Sequence, residues 1–391
     1  MHKSTPSSVR TDVLVVGGGP AGSTAARLLA KTHEVAIAEE HQTAGEPLHC
    51  AGLVTRRGVP DFARKSILCE VKGARLHSPL GFTLTLEAKG SRACVVDRSL
   101  FDKLMFHRAV DDGAVPLMGS SARSVLASRD DVRTQLRTEG RLETVSSRVL
   151  IGADGHRSIC RRSAGLPPPR HMLIGIQADL KGVEFDPDFV DLYLGRDVAP
   201  GFFAWVIPAG NLIRVGLCTW DAHRAPAEYL KKFLSRPQFA KGRKVSIAAG
   251  KIPIGVGRSA VNDRIMLIGD AACHAKPLSG GGVYTGVKGA ELCAKVVDAH
   301  LARGGPLDDY DPLWKAEFGR ELSRAFRVRK VFLNLTDKKI DKALRLFSAP
   351  GVKRLLEEQG DIDYPASISG SVLKMAPKLA QFSPQIIRSL L

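Results

Sequence analysis

The sequence predicts an α/β fold with three parts: a parallel-sheet domain, an antiparallel β-rich domain and a helical C-terminal region. Three observations support this prediction. Apolar runs that end at glycine or an acid recur at residues 12–16, 147–152 and 264–269, as in parallel strands that are covered on both faces. Residues 170–258 are rich in strand-forming residues. After residue 301, apolar residues recur at helical spacing.

Length and composition are those of a globular protein. The 391 residues are enough for two or three packed lobes, and 44% of them are hydrophobic. The polar start of the chain and the lack of a long uncharged apolar run predict no signal peptide and no membrane span, hence a cytoplasmic protein. The seven cysteines are scattered and odd in number, which favours reduced thiols, and their spacing predicts no metal site.

The chain is strongly basic, with a net charge of +17 and a pI near 9.7. Such a charge favours anionic partners. The basic residues are dispersed and aromatics make up only 6% of the chain, unlike proteins that bind single-stranded nucleic acids, so no nucleic-acid partner is predicted. Peripheral contact with an anionic membrane surface on its cytoplasmic face and simple solvation of the charge both remain open.

The first element is a strand, a glycine turn and a helix between Asp12 and Lys31. The turn reads G-x-G-x-x-G, with Gly17, Gly19 and Gly22 at the glycine positions, and a second strand then ends at Glu39. In this arrangement the three glycines allow a tight turn, approach of a pyrophosphate and close packing of the helix, while the acid binds a ribose diol. The stretch therefore predicts a Rossmann-type dinucleotide site.

The loop after the second strand contains His49, Cys50 and Ala51. Because loops at this end of such a sheet lie beside the ligand crevice, the two titratable groups are candidate site residues; an incidental thiol is the alternative. A predicted helix then starts at residues 97–102 with Arg98 in its first turn. Arg98 is placed to meet an anionic group, or it is a surface arginine.

Two later strands end in acids, Asp154 and Asp270, at the edge where parallel strands bind ligands. A glycine-rich turn at residues 277–283 then precedes a helix that starts at Tyr284 and runs to about Leu301. Free N–H groups at that helix start suit negative charge on a flavin ring.

These motifs together resemble the FAD-binding, glutathione-reductase-like group that includes the aromatic hydroxylases. More narrowly, the chain resembles the geranylgeranyl reductase family. The matching segments, from about residue 11 to residue 380, are residues 47–50, 96–102, 203–208, 269–282 and 360–365. The resemblance implies a discontinuous FAD-binding domain (11–55, 96–165 and 262–300), a β-rich substrate domain (56–95 and 166–261) and a helical C-terminal region (301–391).

The resemblance also implies roles for individual residues. The cofactor would be FAD, bound by the glycine motif and by Ala21, Glu39, Cys50, Ala51, Arg98, Ala122, Asp270, Gly281, Gly282 and Val283. Phe203, Trp205 and Pro208 would line the substrate site. The family pattern Tyr-x-Trp-x-Phe-Pro is here Phe203-Ala204-Trp205-Val206-Ile207-Pro208, so one hydroxyl and one ring are missing and the wall is apolar.

The expected reaction is saturation of isolated C=C bonds in geranylgeranyl chains, most simply on archaeal-type ether phospholipids. Reduced flavin would supply hydride, and Cys50, with His49 or Tyr284, would supply or relay the proton. Three alternatives stay open: a flavin monooxygenase of the same fold, a reductase of a quinone's prenyl tail, and a non-catalytic flavoprotein that binds membranes or nucleic acid through charge. The external reductant, whether NAD(P)H, ferredoxin or another carrier, also stays open.

The C-terminal region combines apolar residues at helical spacing with many basic ones. The apolar positions include Phe318, Leu322, Ala325 and Phe332, and the basic ones include Arg320, Arg324 and Arg329. A basic amphipathic helix either lies on an anionic membrane or caps the core, and both readings are open.

Overall fold

The computed structural model describes residues 9–47, 50–220, 223–255 and 257–375. In these ranges the strands are, in chain order, β1 (Val9–Val16), β2 (Val35–Ala38), β3 (Leu53–Val54), β4 (Ile67–Val71), β5 (Gly73–His77), β6 (Thr83–Glu87), β7 (Ala93–Val96), β8 (Val115–Leu117), β9 (Ser120–Ala127), β10 (Val132–Thr138), β11 (Arg141–Gly152), β12 (His171–Lys181), β13 (Phe189–Leu194), β14 (Phe203–Ala209), β15 (Leu212–Thr219), β16 (Arg243–Ile254), β17 (Val261–Asn262) and β18 (Ile265–Leu267).

The helices of the same ranges are α1 (Pro20–Leu29), α2 (Arg98–Asp111), α3 (Ile159–Ser163), α4 (Pro226–Leu234), α5 (Val283–Arg303), α6 (Tyr310–Trp314), α7 (Arg320–Leu333), α8 (Asp337–Phe347), α9 (Pro350–Gln359) and α10 (Ser369–Met375). A π-helical turn, Lys315–Gly319, joins α6 to α7. The predicted α/β class is confirmed.

The first sheet carries the Rossmann-type motif. Its order is β17-β18-β11-β1-β2-β8, and β1 runs parallel to both β11 and β2. The apolar run Val13, Leu14 and Val15 is fully buried at its centre, because α1 and α5 cover the sheet and pack against each other. The carboxyl ends of β1, β11 and β18 therefore meet at one edge.

The second sheet forms the β-rich part. Its order is β16-β12-β15-β14-β13-β5-β6, and its pairs are antiparallel apart from the parallel pair β13–β5. Buried side chains of α4, Leu230 and Phe233, cover one face. A small sheet, β3-β7-β4, lies next to it and shares a core with it. The predicted domain bounds themselves stay a prediction.

The apolar stripe of the C-terminal region caps the core. Phe318, Leu322 and Ala325 are at most 1% exposed, and the first two belong to the core of the first sheet. Arg329 on the same helix is buried as well. The stripe is thus not available to a lipid surface, whereas Arg320 and Arg324 are exposed. Within the described ranges, no helix has the length and apolar character needed to span a bilayer.

Candidate active site

Of the three motif glycines in the turn between β1 and α1, only Gly19 has open space beside it for a ligand. A Cβ on Gly17, whose φ is +107°, would lie 2.3 Å from the carbonyl oxygen of Ala153, and one on Gly22 would lie 1.9 Å from that of Gly17. A Cβ on Gly19 would meet nothing within 4 Å. Gly19 also starts α1, whose N-terminal N–H groups suit a pyrophosphate. The turn therefore fits FAD as predicted.

Glu39 lies beside this turn with its carboxylate fixed. Oε2 accepts a hydrogen bond from the Gly18 N–H at 2.8 Å, and Oε1 accepts from the backbone and ring nitrogens of His41 at 3.0 and 2.7 Å. Because Oε2 keeps a free lone pair, it can accept from a ribose hydroxyl. His41 has no place in the glycine motif, so no sequence signal pointed to it.

The two strand-end acids differ in their surroundings. Asp154 accepts from Ser158 Oγ and from the N–H groups of Ile159 and Cys160 at 2.6–3.1 Å, so its carboxylate holds the start of α3. Asp270 lies beside Gly282, with Oδ1 3.2 Å from the place of a Cβ there. Burial raises the pKa of Asp270 to about 6, while nearby Arg98 lowers it.

Cys50 lies between the Gly52 backbone and the charged side chain of Arg98. Its sulfur accepts from the Gly52 N–H at 3.4 Å and lies near enough to the guanidinium of Arg98 to interact with its charge. Arg98 itself makes a two-pronged ion pair with Asp102 at 2.9 and 2.8 Å. Arg98 is thus near both Cys50 and Asp270. Within the protein, the anionic group that it meets is the Asp102 carboxylate. His49, the other candidate of this loop, lies outside the described residues.

Two residues of the second sheet, which sequence reasoning missed, hold the backbone around Cys50. Gln177 of β12 donates to the Cys50 carbonyl at 3.3 Å. Arg214 of β15 donates to the carbonyls of Ala51 and Val96 at 2.9 and 3.0 Å. Strand alternation marks such residues only as inward-facing, so nothing in the sequence pointed to these contacts.

Tyr284, at the start of α5, contacts the C-terminal region. The Tyr284 hydroxyl lies 3.5 Å from the Tyr364 hydroxyl, which in turn donates to Glu317 at 3.3 Å. The Arg57 guanidinium lies over the Tyr284 ring, 5.2 Å from its centre. Among the described residues, no hydrogen bond joins Tyr284 to Cys50. Its predicted catalytic role stays a prediction.

The glycine-rich turn before α5 is braced by Lys276. Its backbone N–H donates to the Gly281 carbonyl at 2.9 Å, and its ammonium donates to Asp363 at 2.8 Å. Asp363 also accepts from Thr55 at 2.5 Å and from Arg57 at 3.0 Å. This buried carboxylate ties the turn to the segment after Cys50; the only sequence signal for it was the resemblance of residues 360–365. Gly282 and Val283 lead into α5.

The predicted substrate residues lie on β14 in an aromatic cluster. Phe203 stacks on Phe202 at 4.1 Å and meets Trp205 edge-on at 6.3 Å. Phe202 also reaches the glycine-rich turn, 3.5 Å from the place of a Cβ on Gly280. The cluster therefore touches the turn where the flavin ring is expected. Pro208 is buried further along the strand, where its carbonyl accepts from Cys69.

Two remaining predicted cofactor residues are small and lie in the first sheet's core region. Ala21 of α1 packs beside Gly269 and Gly286, next to the strand end that carries Asp270. Ala122 is buried in β9, which pairs with β10. Within the described ranges, no group of His, Cys, Asp and Glu side chains is arranged to hold a metal.

Arg329 joins the aromatic cluster to the turn. Its guanidinium lies 4.7 Å from the ring centres of both Phe202 and Trp220 and donates to the carbonyls of Pro277 and Gly201 at 3.2 and 2.5 Å. Burial lowers the pKa of Arg329 to about 10. The sequence grouped it with the basic residues of the tail, because helical spacing does not show which arginine is buried.

Comparisons with known proteins show FAD binding. The FAD binding domain family matches residues 10–312. An uncharacterized protein of Methanocaldococcus jannaschii is 32% identical, over 93% of this chain and 95% of its own. Digeranylgeranylglycerophospholipid reductase of Methanoculleus marisnigri is 30% identical, over 88% of this chain and 94% of its own.

A solved structure extends the match to the whole architecture. A geranylgeranyl bacteriochlorophyll reductase-like protein from Thermoplasma acidophilum superposes with a TM-score of 0.85 at 27% identity, covering 98% of each chain. The predicted FAD cofactor and the predicted family are both confirmed. The chain is therefore an FAD-dependent oxidoreductase that belongs to the geranylgeranyl reductase family within the aromatic-hydroxylase-like flavoproteins.

Proposed function

We propose that the protein saturates isolated C=C bonds of geranylgeranyl chains on archaeal-type ether phospholipids. One juxtaposition carries the proposal: the Cys50 loop, the turn at Gly280–Gly282 and the apolar aromatic cluster are linked through Arg98, Asp270 and Phe202. The names of relatives such as the reductase of Methanoculleus marisnigri support the same substrate class.

The cofactor would supply the reducing equivalent. When bound and reduced, FAD supplies hydride. Gly19 and the start of α1 would hold its pyrophosphate, Glu39 its adenosine ribose, and Asp270 its ribitol. Gly282 and Val283 would present the N-terminal N–H groups of α5 to the flavin ring.

The protein must also provide a proton, because an isolated alkene has no carbonyl group to take up the charge of an added hydride. The Cys50 sulfur is the group we assign to this step. It would hold the proton, pass it to the alkene carbon, and remain as a thiolate. The Gly52 N–H, which donates to this sulfur, and the nearby positive charge of Arg98 would stabilise that thiolate.

The aromatic cluster would exclude water from the reacting bond. Phe203 and Trp205 offer ring faces and edges to an apolar chain, and the isoprenoid substrate has no polar group along its length to pair with them. A dry wall strengthens the local electrostatics and keeps water from intercepting positive charge on the alkene. Among the described residues, no atom accepts a hydrogen bond from the Trp205 indole N–H.

Product mass tests the proposal. The flavin-loaded protein is incubated without oxygen, with dithionite and a geranylgeranyl glycerophospholipid, and mass gains in steps of two hydrogen atoms are expected. A parallel incubation with a quinone that carries a geranylgeranyl tail shows whether the protein instead reduces the prenyl tail of a quinone. Unchanged lipid, together with hydroxylation of an aromatic compound when oxygen is admitted, would instead favour a monooxygenase.

The role of the thiol is tested by a matched pair of variants. Cys50→Ser should bind flavin normally and lose about 100-fold or more in kcat, in the range expected for a general acid. Cys69→Ser, at a half-buried thiol that donates to the Pro208 carbonyl, should keep its turnover. Full turnover by Cys50→Ser would remove the thiol from the mechanism.

A further inference from the structure

A groove along α6, the π-helical turn and α7 carries only positive charge. It has a volume of about 570 Å³ and is lined by Pro312, Lys315, Ala316, Gly319, Arg320, Ser323, Arg324 and Arg327. Four of these eight side chains are cationic and none is acidic. Arg320 and Arg324 are exposed, so the groove presents its charge to the solvent.

The acids of the same helical segment are turned elsewhere. Glu317 accepts from the Tyr364 hydroxyl at 3.3 Å, and Glu321 accepts from the Ala366 N–H at 2.5 Å, so both carboxylates face the loop at residues 361–366. Asp311 pairs with Lys315 at 3.5 Å but also accepts from the Trp314 indole. Glu317 and Glu321 thus do not line the groove, whereas Asp311 balances part of the charge of Lys315.

The two exposed arginines have no close ion pair among the described residues, although Arg324 is near enough to Glu321 to lower the pKa that burial raises there. Within the described ranges, neither Arg320 nor Arg324 makes a hydrogen bond or a salt bridge, and as an i,i+4 pair of like charge they weaken the helix. The opposite side of α7, with Leu322 and Ala325, is fixed in the core. An anion outside the protein is therefore the natural counter-charge for this face.

We infer that this groove docks the protein on an anionic phospholipid surface. No aromatic ring lines the groove, so it lacks the stacking platforms of single-strand nucleic-acid sites, and its size suits a lipid head group. The choice of a lipid surface over other polyanions rests on the proposed function, because a prenyl-lipid reductase must meet its substrate in a membrane.

Co-sedimentation with vesicles of saturated lipids tests the inference without any turnover, so its failure is distinct from failure of the alkene reduction. Wild type should bind phosphatidylglycerol vesicles, bind phosphatidylcholine vesicles weakly, and release as salt is raised. Arg320→Gln combined with Arg324→Gln should lower the partition coefficient about 10- to 30-fold, as expected for two basic residues near a charged surface.

The matched control removes the same charge elsewhere. Arg137→Gln with Arg141→Gln, on the exposed β10–β11 hairpin, should bind vesicles like wild type. Equal losses in both double variants, or no preference of wild type for anionic vesicles, would overturn the groove as the docking face. Displacement of the bound vesicles by duplex DNA would also overturn it, if the DNA acts at a lower concentration of phosphate groups than inorganic phosphate needs. If the Arg320/Arg324 variant does not fold, Arg324→Gln alone should still lower the salt needed for release.

Discussion

The guanidinium of Arg214 donates a hydrogen bond of 2.9 Å to the carbonyl of Ala51, the residue after Cys50. The donor lies on the β-rich sheet and the acceptor on the loop that carries the Cys50 thiol, so this contact ties the proposed substrate wall to that loop. Asp179 lies 3.5 Å from the same guanidinium and balances its buried charge.

Arg214→Lys should lower kcat about 10- to 100-fold with little change in KM, because a lysine keeps the charge beside Asp179 but cannot reach both carbonyls, and small displacements of reacting groups are costly. The free energy of unfolding should fall by about 1–3 kcal/mol. Steady-state kinetics and denaturant titration measure the two effects. Arg243→Lys, on the exposed edge strand β16, should change neither; equal kinetics in both variants would exclude the positioning role.

Two glycines of the first turn should respond differently to alanine. Gly19→Ala should leave the flavin-free protein within about 1 kcal/mol of wild type, because its Cβ meets no protein atom within 4 Å. It should weaken flavin binding at least about 10-fold, because the methyl takes the space of the pyrophosphate. Flavin titration and thermal melting measure both quantities.

Gly22→Ala is the contrasting variant of this pair. Its Cβ would lie 1.9 Å from the Gly17 carbonyl oxygen, so the α1–β1 packing must shift and the protein should lose stability even without flavin. If Gly19→Ala bound flavin as tightly as wild type, the pyrophosphate would not lie where we place it.

Removing the charge of Asp363 should destabilise the fold. Asp363→Asn leaves the Lys276 ammonium buried without its anion, and breaking such a buried pair costs about 3–5 kcal/mol. Asp361→Asn on the same loop, where Arg57 and Asp361 are partly exposed, should cost at most about 1 kcal/mol. Urea denaturation of the two variants gives the comparison, and equal small losses would contradict the bracing role of Asp363.

His274 should make the fold sensitive to acid. The ring is fully buried between Trp314 and Phe318, and burial, with some help from Arg161, lowers the pKa of His274 to about 3. Below about pH 6.5 the unfolded state binds a proton that the folded state does not. The free energy of unfolding should therefore fall as pH drops from about 6.5 to about 3, by up to about 5 kcal/mol.

Above about pH 6.5 the ring is neutral in both states and contributes no pH dependence. In His274→Leu this contribution disappears, so the variant should lose less stability than wild type between pH 6.5 and pH 4. Denaturant titrations at several pH values give both slopes. Parallel slopes for the two proteins would mean that the ring is protonated in the folded state.

Local sequence patterns were enough to predict the strand–glycine–helix unit, the ends of β11 and β18, and the turn before α5, because each depends on residues that are adjacent in the chain. The contacts of Gln177 with the Cys50 carbonyl and of Arg214 with the Ala51 carbonyl could not be predicted in this way. They depend on how the second sheet lies against the first, and a half-buried polar residue on a strand looks the same whether it contacts solvent or a distant loop.

Arg329 illustrates the same limit. Its neighbours Lys330 and Arg324 are exposed, while Arg329 itself is 2% exposed between two aromatic rings. From the sequence it could only be grouped with the other basic residues of the tail, because helical spacing does not show which arginine is buried. The carbonyls of Gly201 and Pro277 that accept from it are visible only in the folded structure.

Reoxidation of the bound flavin by substrate is the most direct test of the proposed reaction. The flavin-loaded protein is reduced without oxygen, freed of excess reductant, and mixed with a geranylgeranyl glycerophospholipid. The yellow absorbance of oxidised flavin should return, with one double bond lost per flavin, and a fully saturated lipid should have no effect. A flavin that stays reduced with the unsaturated lipid, and returns to yellow only when oxygen is admitted, would contradict it.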